Sequence, residues 1–392
     1  IPEAWKIICS VTLDNLGRAT YLPAVSIIEG MAERNKSTTN DILNEALASE
    51  EMHGLIVALQ TNAGVDEEGA QRLLAAAELE TVPVRTFGHL RFWKEWIEEN
   101  SGLFSILMEK IAIREDGEDV AFEIMQGLIY TRKKDEKALS EAEKEIGKKL
   151  LLTAKFDSKH RQDTHRYAIV AEASLDGDRD EHIAAAVCDR IVAGINDYTI
   201  YSHHFGELVG ALSEKFPRVI LDRLVARAAE NPELPELFDG RRLAKLKPAS
   251  NMSEEVIFEW IAEDPERRYL AVAHVIPIFK KPDGDVVRNK SFEDYSGPVE
   301  WTAEALKLID DAPDGPAVLE ILVGRFQPMG WSGSLAAIME SRLPLIDVLR
   351  EHENKAISKA ANERLVRYKE SLERQREWEA KNDRARDERF EW

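Results

Sequence analysis

The sequence has few cysteines and no recognisable cofactor motif. Its 392 residues include only two cysteines, Cys9 and Cys188, which lie far apart and show no metal-binding spacing. We predict that both are buried free thiols, because a secreted disulfide scaffold would have paired or clustered cysteines. Neither a P-loop nor a glycine-rich dinucleotide motif occurs. We therefore expect no nucleotide, metal or other cofactor.

Glycine and proline are also scarce, and long apolar runs are missing. With 21 glycines and 15 prolines, low-complexity linkers are not expected. No run approaches the length of a membrane span and no signal peptide opens the chain, which favours a cytoplasmic protein without a membrane partner. The chain begins at Ile1, inside a helical pattern and without an initiator methionine. We interpret it as a fragment of a larger polypeptide.

Basic residues are outnumbered by acidic ones. The 52 basic and 72 acidic residues give a net charge of −20, which repels phosphates at long range. Nucleic acid is therefore not expected as a partner. Residues 354–392 contain 11 basic and 9 acidic residues, so that the preceding body carries about −22. A partner of that body is expected to be basic or apolar.

What the sequence does contain is helical periodicity. Good helix formers dominate, and the clearest strand-like run is the short stretch 82–87. Residues 133–156 are more charged, and we expect them to be more exposed. The predicted amphipathic helices lie within 38–60, 65–80, 88–100, 102–113 and 118–130. The pattern predicts an all-α fold.

Three helix–proline–helix junctions recur in the second half of the chain. Pro217, Pro265 and Pro313 are separated by two intervals of 48 residues, and Asn354 takes the place of a fourth proline. Proline is well tolerated in the first turn of a helix, where its missing N–H would have no partner. Helix pairs that recur every 40 to 50 residues or so are typical of a HEAT- or armadillo-like α-solenoid of antiparallel pairs. A non-repetitive helical bundle is the alternative.

This pattern divides the chain into three parts. Residues 1–198 are predicted to form an N-terminal helical region with irregular or degenerate repeats. Residues 199–353 form HEAT-like helix pairs, interrupted by a polar loop at 278–297. Residues 354–392 form a long charged C-terminal helix. That helix is either solvated and stabilised by i,i+4 charge pairs or laid against a partner through its tryptophans.

The stretch GWSGS at 330–334 is one residue short of a nucleophile elbow. The elbow requires a preceding strand and a second flanking glycine. A helical pattern precedes Gly330, Ser334 replaces the second glycine, and only His352 follows as a histidine. We therefore predict that Ser332 or Ser334 caps the next helix and that the chain is not an enzyme. A hydrolase that uses Ser332 is the alternative.

The clusters of potential metal ligands do not have the spacing that a metal site requires. His160 and His165 are not separated by the i,i+4 interval that places two imidazoles on one helical face. The run 176–180 begins like a calcium loop, but the glycine and glutamate required further on are absent. His203 and His204 are adjacent and are predicted to point apart on a helix. We predict no metal site.

Tryptophan and arginine recur at the helix pairs. Trp260, Trp301 and Trp331 fall in or beside the first helices of three successive pairs. Tryptophan fills inter-helix space well, and it is also a frequent interface anchor together with arginine. Both interpretations stay open for each position. The candidate protein-binding residues are Trp260, Arg267, Arg268, Trp301, Arg325, Trp331 and Arg342.

The same half of the chain resembles a known group of proteins. The runs ALSEKFPRVILDRLV, FEWIAEDPERRYLAVA and the stretch 301–357, with the ending DRARDERFEW, are similar to the C-terminal helical-repeat regions of bacterial NACHT-like (STAND) signal-transduction ATPases. Members of that group act in defence against bacteriophage. The resemblance implies an effector and a nucleotide-binding module elsewhere in the parent chain. We expect these other domains of the parent to be partners of the present region.

It also implies a function. The helical-repeat region would be the sensor, which binds a foreign protein such as a phage protein and so controls oligomerisation of the parent. No catalytic residue is carried over, because the phosphate-binding motif is missing here. A constitutive scaffold or assembly domain is the alternative function.

Overall fold

The described part of the chain is predominantly helical. The computed structural model describes residues 22–92, 101–156, 164–231, 233–238, 252–284, 286–287, 297–328 and 331–390. Among the described residues, the first eight α-helices are α1 (Leu22–Arg34), α2 (Lys36–Ala48), α3 (Ile56–Ala63), α4 (Glu67–Glu78), α5 (Ser101–Ala112), α6 (Gly117–Lys134), α7 (Glu141–Thr153) and α8 (Thr164–Ser174). The others are α9 (Glu181–Asn196), α10 (Gly206–Lys215), α11 (Pro217–Arg223), α12 (Glu254–Glu263), α13 (Pro265–Ala273), α14 (Ala303–Asp311), α15 (Gly315–Gly324), α16 (Leu335–Val348) and α17 (Lys355–Phe390). The predicted all-α class is confirmed, whereas predictions on Cys9, His160 and Gly330 fall outside the described residues.

Contacts divide the chain into two compact units. Unit 1 consists of Ile1–Lys155 with Gln162–Asp176, and unit 2 consists of Phe156–Arg161 with Gly177–Trp392. The three-part division predicted from the sequence, with boundaries after residues 198 and 353, stays a prediction.

A buried arginine joins the helices at the start of unit 1. Arg72 of α4 donates hydrogen bonds to Asn44 of α2 at 2.6 Å and to Gln60 of α3 at 2.8 Å. A third bond of 2.7 Å goes to Glu68 within α4. A buried guanidinium is costly unless its donors are satisfied, so these bonds fix the relative positions of the three helices.

A second buried charge is paired in the region predicted to be exposed. Arg132 of α6 donates to Glu143 of α7 at 2.6 Å, and both side chains are almost fully buried. The other carboxylate oxygen of Glu143 accepts from the Ser140 N–H, while the Ser140 hydroxyl accepts from the Glu143 N–H. This capping box starts α7. The expectation of greater exposure for 133–156 is wrong for Glu143, because the capping box and the ion pair together satisfy its charge inside the unit.

The predicted boundaries differ from those observed in unit 1. The stretch 38–60 is not one helix, since α2 ends at Ala48 and α3 begins at Ile56. The cap of α2 is Asn35, whose side chain accepts from Thr38 N–H at 3.1 Å. The break allows α2 and α3 to pack against each other. The strand-like run 82–87 lies mostly in a 3-10 helix, Val84–Phe92.

Unit 2 contains the four predicted helix pairs, α10–α11, α12–α13, α14–α15 and α16–α17. Pro217 and Pro265 are the first residues of α11 and α13, as the repeat pattern predicts. Pro313 lies instead in the turn before α15, and Pro316 occupies the first turn of that helix. The reason is the cap: Asp314 accepts from Ala317 N–H at 3.0 Å, which starts the helix two residues after Pro313.

The pairs contact one another in chain order. Within each pair the two helices touch, and α11 contacts α12 of the following pair. The second helices α13, α15 and α17 then contact their successors directly. Successive helix pairs of unit 2 are therefore in contact, whereas the predicted solenoid stays a prediction.

A small sheet is formed by two strands within the predicted polar loop and a third strand just after it. The strands are β1 (Phe279–Lys280), β2 (Val286–Val287) and β3 (Glu300–Trp301), in the order β2-β1-β3 with antiparallel pairing throughout. The sequence did not predict these two-residue strands, because alternation cannot be read over so few residues. Residues 288–296 of the loop lie outside the described residues.

The last helix, α17, changes character along its length. Its first half buries an apolar stripe against α15 and α16, consisting of Ile357, Ala361, Leu365, Tyr368 and Leu372. Arg364 and Arg367 pair with Glu320 of α15, and Arg376 pairs with Glu340 of α16. Beyond Leu372, the side chain of Trp378 is 56% exposed.

Candidate functional site

Trp260 and Arg268 belong to the core of unit 2. The Trp260 side chain is fully buried and its indole N–H donates to Asp222 of α11 at 2.7 Å. The Arg268 guanidinium lies 4.3 Å from the Trp260 ring centroid and also bonds to Glu263 at 2.6 Å. Hydrogen bonds from Arg268 and Arg218 lower the pKa of Glu263. This cluster joins two successive helix pairs, so Trp260 and Arg268 are structural.

Trp301 is likewise internal. Its indole N–H donates to the Leu345 carbonyl in the last turn of α16 at 2.8 Å. The N–H of Leu349, four residues further on, donates to the carbonyls of Asp347 and Ile346 instead. The last carbonyls of a helix lack intrahelical partners, and Trp301 satisfies one of them. Trp301 therefore connects β3 to the end of α16.

Arg325 has a similar capping role at α13. Its guanidinium donates to the Ala273 carbonyl at 2.7 Å and to the Ile276 carbonyl at 2.9 Å, where α13 ends. Basic side chains favour helix C-termini, both through hydrogen bonds and through the helix dipole. We assign Arg325 to the junction between α13 and α15.

Arg342 lies within an aromatic cluster. Its side chain is buried in α16, and its guanidinium is 4.6 Å from the ring centroid of Phe279. The ring of Phe326 contacts those of Phe279, Trp301 and Tyr368, with centroids 5.1, 5.6 and 5.8 Å apart. We call these four rings the aromatic cluster of unit 2. Core packing therefore accounts for Arg342.

Only two of the seven candidate residues are exposed. Arg267 lies on the surface of α13, and the Trp331 side chain is 42% exposed. The structure does not bring the seven candidates together on one surface. Trp378, which the sequence did not place among the candidates, adds a second exposed tryptophan. The sequence feature that could have identified Trp378 is an isolated aromatic residue within a highly charged helix.

Trp331 and Trp378 lie close in sequence to the two sides of one contact. Ser334 caps α16 by accepting from Ala337 N–H at 3.0 Å, and Glu379 of α17 accepts from the Ser334 hydroxyl at 2.6 Å. The other Glu379 oxygen accepts from Ala336 N–H at 2.9 Å. Trp331 lies three residues before Ser334, and Trp378 is next to Glu379. We call the surface around this contact, residues 331–337 and 374–381, the tryptophan surface.

The same bonds decide the role of the GWSGS stretch. Ser334 caps α16, which is one of the two alternatives predicted from the sequence. Gly333 has φ of +78°, the left-handed conformation that glycine adopts without strain, so it forms the turn before the cap. His352 is held by Asp310 at 2.7 Å and accepts from the Asn354 N–H at 3.0 Å. That the chain is not an enzyme stays a prediction.

The metal-like clusters have other partners. Asp176 pairs with Lys144 at 2.8 Å. His203 and His204 do not point apart as predicted, because the 3-10 turn at Ser202–His204 places their ring centroids 4.3 Å apart, edge to face. No group of three or more potential metal-ligating side chains converges within the described ranges.

Cys188 is a buried free thiol, as predicted. Burial in α9, with a smaller contribution from the charge of Asp189, raises its pKa to about 12. A thiol must deprotonate to act as a nucleophile or metal ligand, so we expect Cys188 to be unreactive near neutral pH in the folded chain.

A cavity in unit 1 was not predicted. It has a volume of about 470 Å³ and lies between facing sides of α5 and α7, with Ser105, Met108 and Ala112 on one side and Ile146 and Leu150 on the other. Glu118, at the start of α6, also lines it. The sequence shows the two amphipathic stripes but cannot show whether they close on each other or leave a space between them.

Comparisons with known proteins give no relatives: no protein-family model, curated protein or solved structure matches the chain. Among the described helices, none is both long enough and apolar enough to cross a membrane.

Proposed function

We propose that the chain is a non-catalytic protein-recognition module, a HEAT-like α-solenoid sensor that binds a foreign protein ligand within a larger bacterial antiphage defence ATPase. The observation that most supports this proposal is the order of packing in unit 2. Helix pairs contact their successors in chain order, and α13, α15 and α17 follow one another directly. Repeated pairs of this kind build extended surfaces that commonly bind other proteins.

The tryptophan surface is the proposed contact site. Trp331 and Trp378 are 42% and 56% exposed, and large aromatic residues are the most frequent anchors of protein interfaces. The Glu379–Ser334 hydrogen bond holds α17 at the start of α16, so that the surface is fixed before a ligand arrives. A preformed surface loses less conformational entropy on binding.

The charges around Trp378 indicate the type of ligand. Arg374 and Lys381 stand four residues before and three residues after Trp378, on the same face of α17, and both are exposed. Arg376 pairs with Glu340 on the side facing α16. We infer a ligand that offers an apolar pocket to the tryptophans and acidic side chains to Arg374 and Lys381.

Capture from infected cells tests the proposal. The tagged chain is used as bait in lysates of bacteriophage-infected and uninfected bacteria. Each protein captured from infected cells alone is purified and titrated against the wild-type chain and three variants. Trp331→Ala and Trp378→Ala should each weaken binding by about thirtyfold, the effect of a typical interface hot spot. Tyr198→Ala, which removes another exposed aromatic ring of unit 2, should bind like the wild type.

Two outcomes would overturn the proposal. Capture of the same proteins from both lysates would favour the constitutive scaffold, and equal affinity of all variants would exclude the tryptophan surface. The non-catalytic part of the proposal has its own test, since a fluorophosphonate probe should leave Ser332 unlabelled.

A further inference from the structure

The unit 1 cavity has the size and lining of a small-molecule site. Ser105, Met108 and Ala112 follow one side of α5, and Ile146 and Leu150 follow the facing side of α7. Its volume of about 470 Å³ falls within the range of pockets that hold drug-sized ligands, roughly 300–1,000 Å³. A mostly apolar wall with a few polar groups is the usual composition of such pockets.

Glu118 is the buried polar residue of the cavity wall. Its side chain is buried, and the residue is 6% exposed in total. One carboxylate oxygen accepts from the Tyr167 hydroxyl at 2.8 Å, and the other accepts from the Lys155 N–H at 2.7 Å. A carboxylate oxygen has two lone pairs, so each oxygen can accept one further hydrogen bond. These two bonds hold the carboxylate in place without using its full accepting capacity.

The remaining charged residues of the lining are exposed to solvent. Lys149 of α7 pairs with Glu109 of α5 at 2.7 Å, and it also donates to Ser105 at 3.3 Å. This pair is neutral as a whole. The other cation, Lys155, is exposed to solvent and its charge is screened accordingly. The buried charge of the cavity is therefore the negative charge of Glu118, and the net charge of −20 attracts cations at long range.

We propose that this cavity binds a small amphiphilic amine, with its apolar body between α5 and α7 and its ammonium group bonded to Glu118. The ammonium supplies the additional donors that the carboxylate can accept, and a charge-assisted hydrogen bond is stronger than a neutral one. The site lies in unit 1 and does not depend on the tryptophan surface of unit 2.

Three probes of equal chain length test the assignment. Octylamine, octanol and octanoate are titrated into the full chain by isothermal titration calorimetry at low salt. Octylamine should bind with one site per chain and about tenfold more tightly than octanol, the effect of one hydrogen bond to a charged group. Octanoate should bind most weakly, because its carboxylate would face that of Glu118.

Three variants separate the parts of the site. Glu118→Gln keeps the shape of the side chain and should abolish the preference for octylamine over octanol. Ala112→Phe fills the cavity and should abolish binding of all three probes. Glu115→Gln, a substitution of an exposed carboxylate close in sequence but outside the cavity lining, is the matched control and should bind like the wild type.

The proposal is overturned if octylamine does not bind or if octanoate binds as tightly as octylamine. If folded Ala112→Phe bound octylamine as tightly as the wild type, the proposal would also be overturned. This test holds even if Glu118→Gln does not fold. Circular dichroism of each variant establishes that it is folded before titration.

Discussion

Substitution of Trp301 by phenylalanine should destabilise unit 2, mainly through the loss of one hydrogen bond. The indole N–H is the partner of the buried Leu345 carbonyl, at 2.8 Å, and phenylalanine has no donor to replace it. An unsatisfied buried acceptor costs about 1–3 kcal/mol. The smaller ring also leaves a gap beside Phe326, which adds about 1 kcal/mol. We therefore expect Trp301→Phe to lower the free energy of unfolding by about 2–4 kcal/mol.

Tyr368→Phe is the matched control, because Tyr368 contacts the same Phe326 ring. Its buried hydroxyl has no hydrogen-bond partner among the described residues, so its removal leaves no donor or acceptor unpaired. Stability should stay the same or rise. Urea unfolding followed by circular dichroism at 222 nm measures both variants, in the transition of unit 2. A Trp301→Phe midpoint equal to that of Tyr368→Phe would refute the assigned role of the indole.

Four further predictions concern the caps and buried groups. Ser334→Ala removes the cap of α16 and should lower the free energy of unfolding by about 1 kcal/mol in the same urea assay, whereas an unchanged midpoint would contradict the capping role. Arg132→Met leaves the buried carboxylate of Glu143 without its cation and should cost about 3–5 kcal/mol; a cost under 1 kcal/mol would show that the pair is solvated. Because the pKa of Cys188 is raised to about 12, its peptide should stay unmodified by iodoacetamide at pH 8 in the folded chain and react in urea, as mass spectrometry of that peptide will determine. The same shift, from the ordinary thiol pKa of 9.0, implies that the stabilising effect of the neutral thiol is complete below about pH 9 and is lost as the pH rises towards 12.

Local signals in the sequence predicted local structure well. The capping role of Ser334 and the first-turn prolines Pro217 and Pro265 depend on a few neighbouring residues, and the structure confirms them. Pro313 was assigned wrongly because two prolines and an aspartate compete within four residues, and the Asp314 cap decides where α15 begins.

The roles of the tryptophans and arginines could not be predicted in the same way. Trp301 bonds to Leu345, 44 residues further along the chain, and Arg325 reaches back to Ala273, 52 residues before it. Such partners depend on how helix pairs stack, which periodicity alone does not specify. The unit 1 cavity could not be predicted for the same reason. Two apolar stripes that leave a gap between their helices have the same sequence pattern as two stripes in tight contact.

Trp331 and Trp378 are exposed, and core packing does not explain either of them. Hydrogen–deuterium exchange of the chain, with and without a protein captured only from infected cells, tests most directly whether they bind a ligand. The proposed function predicts that the ligand slows exchange at residues 331–337 and 374–381 and leaves α2 to α4 unchanged. Protection confined to other segments, with none on the tryptophan surface, would contradict it.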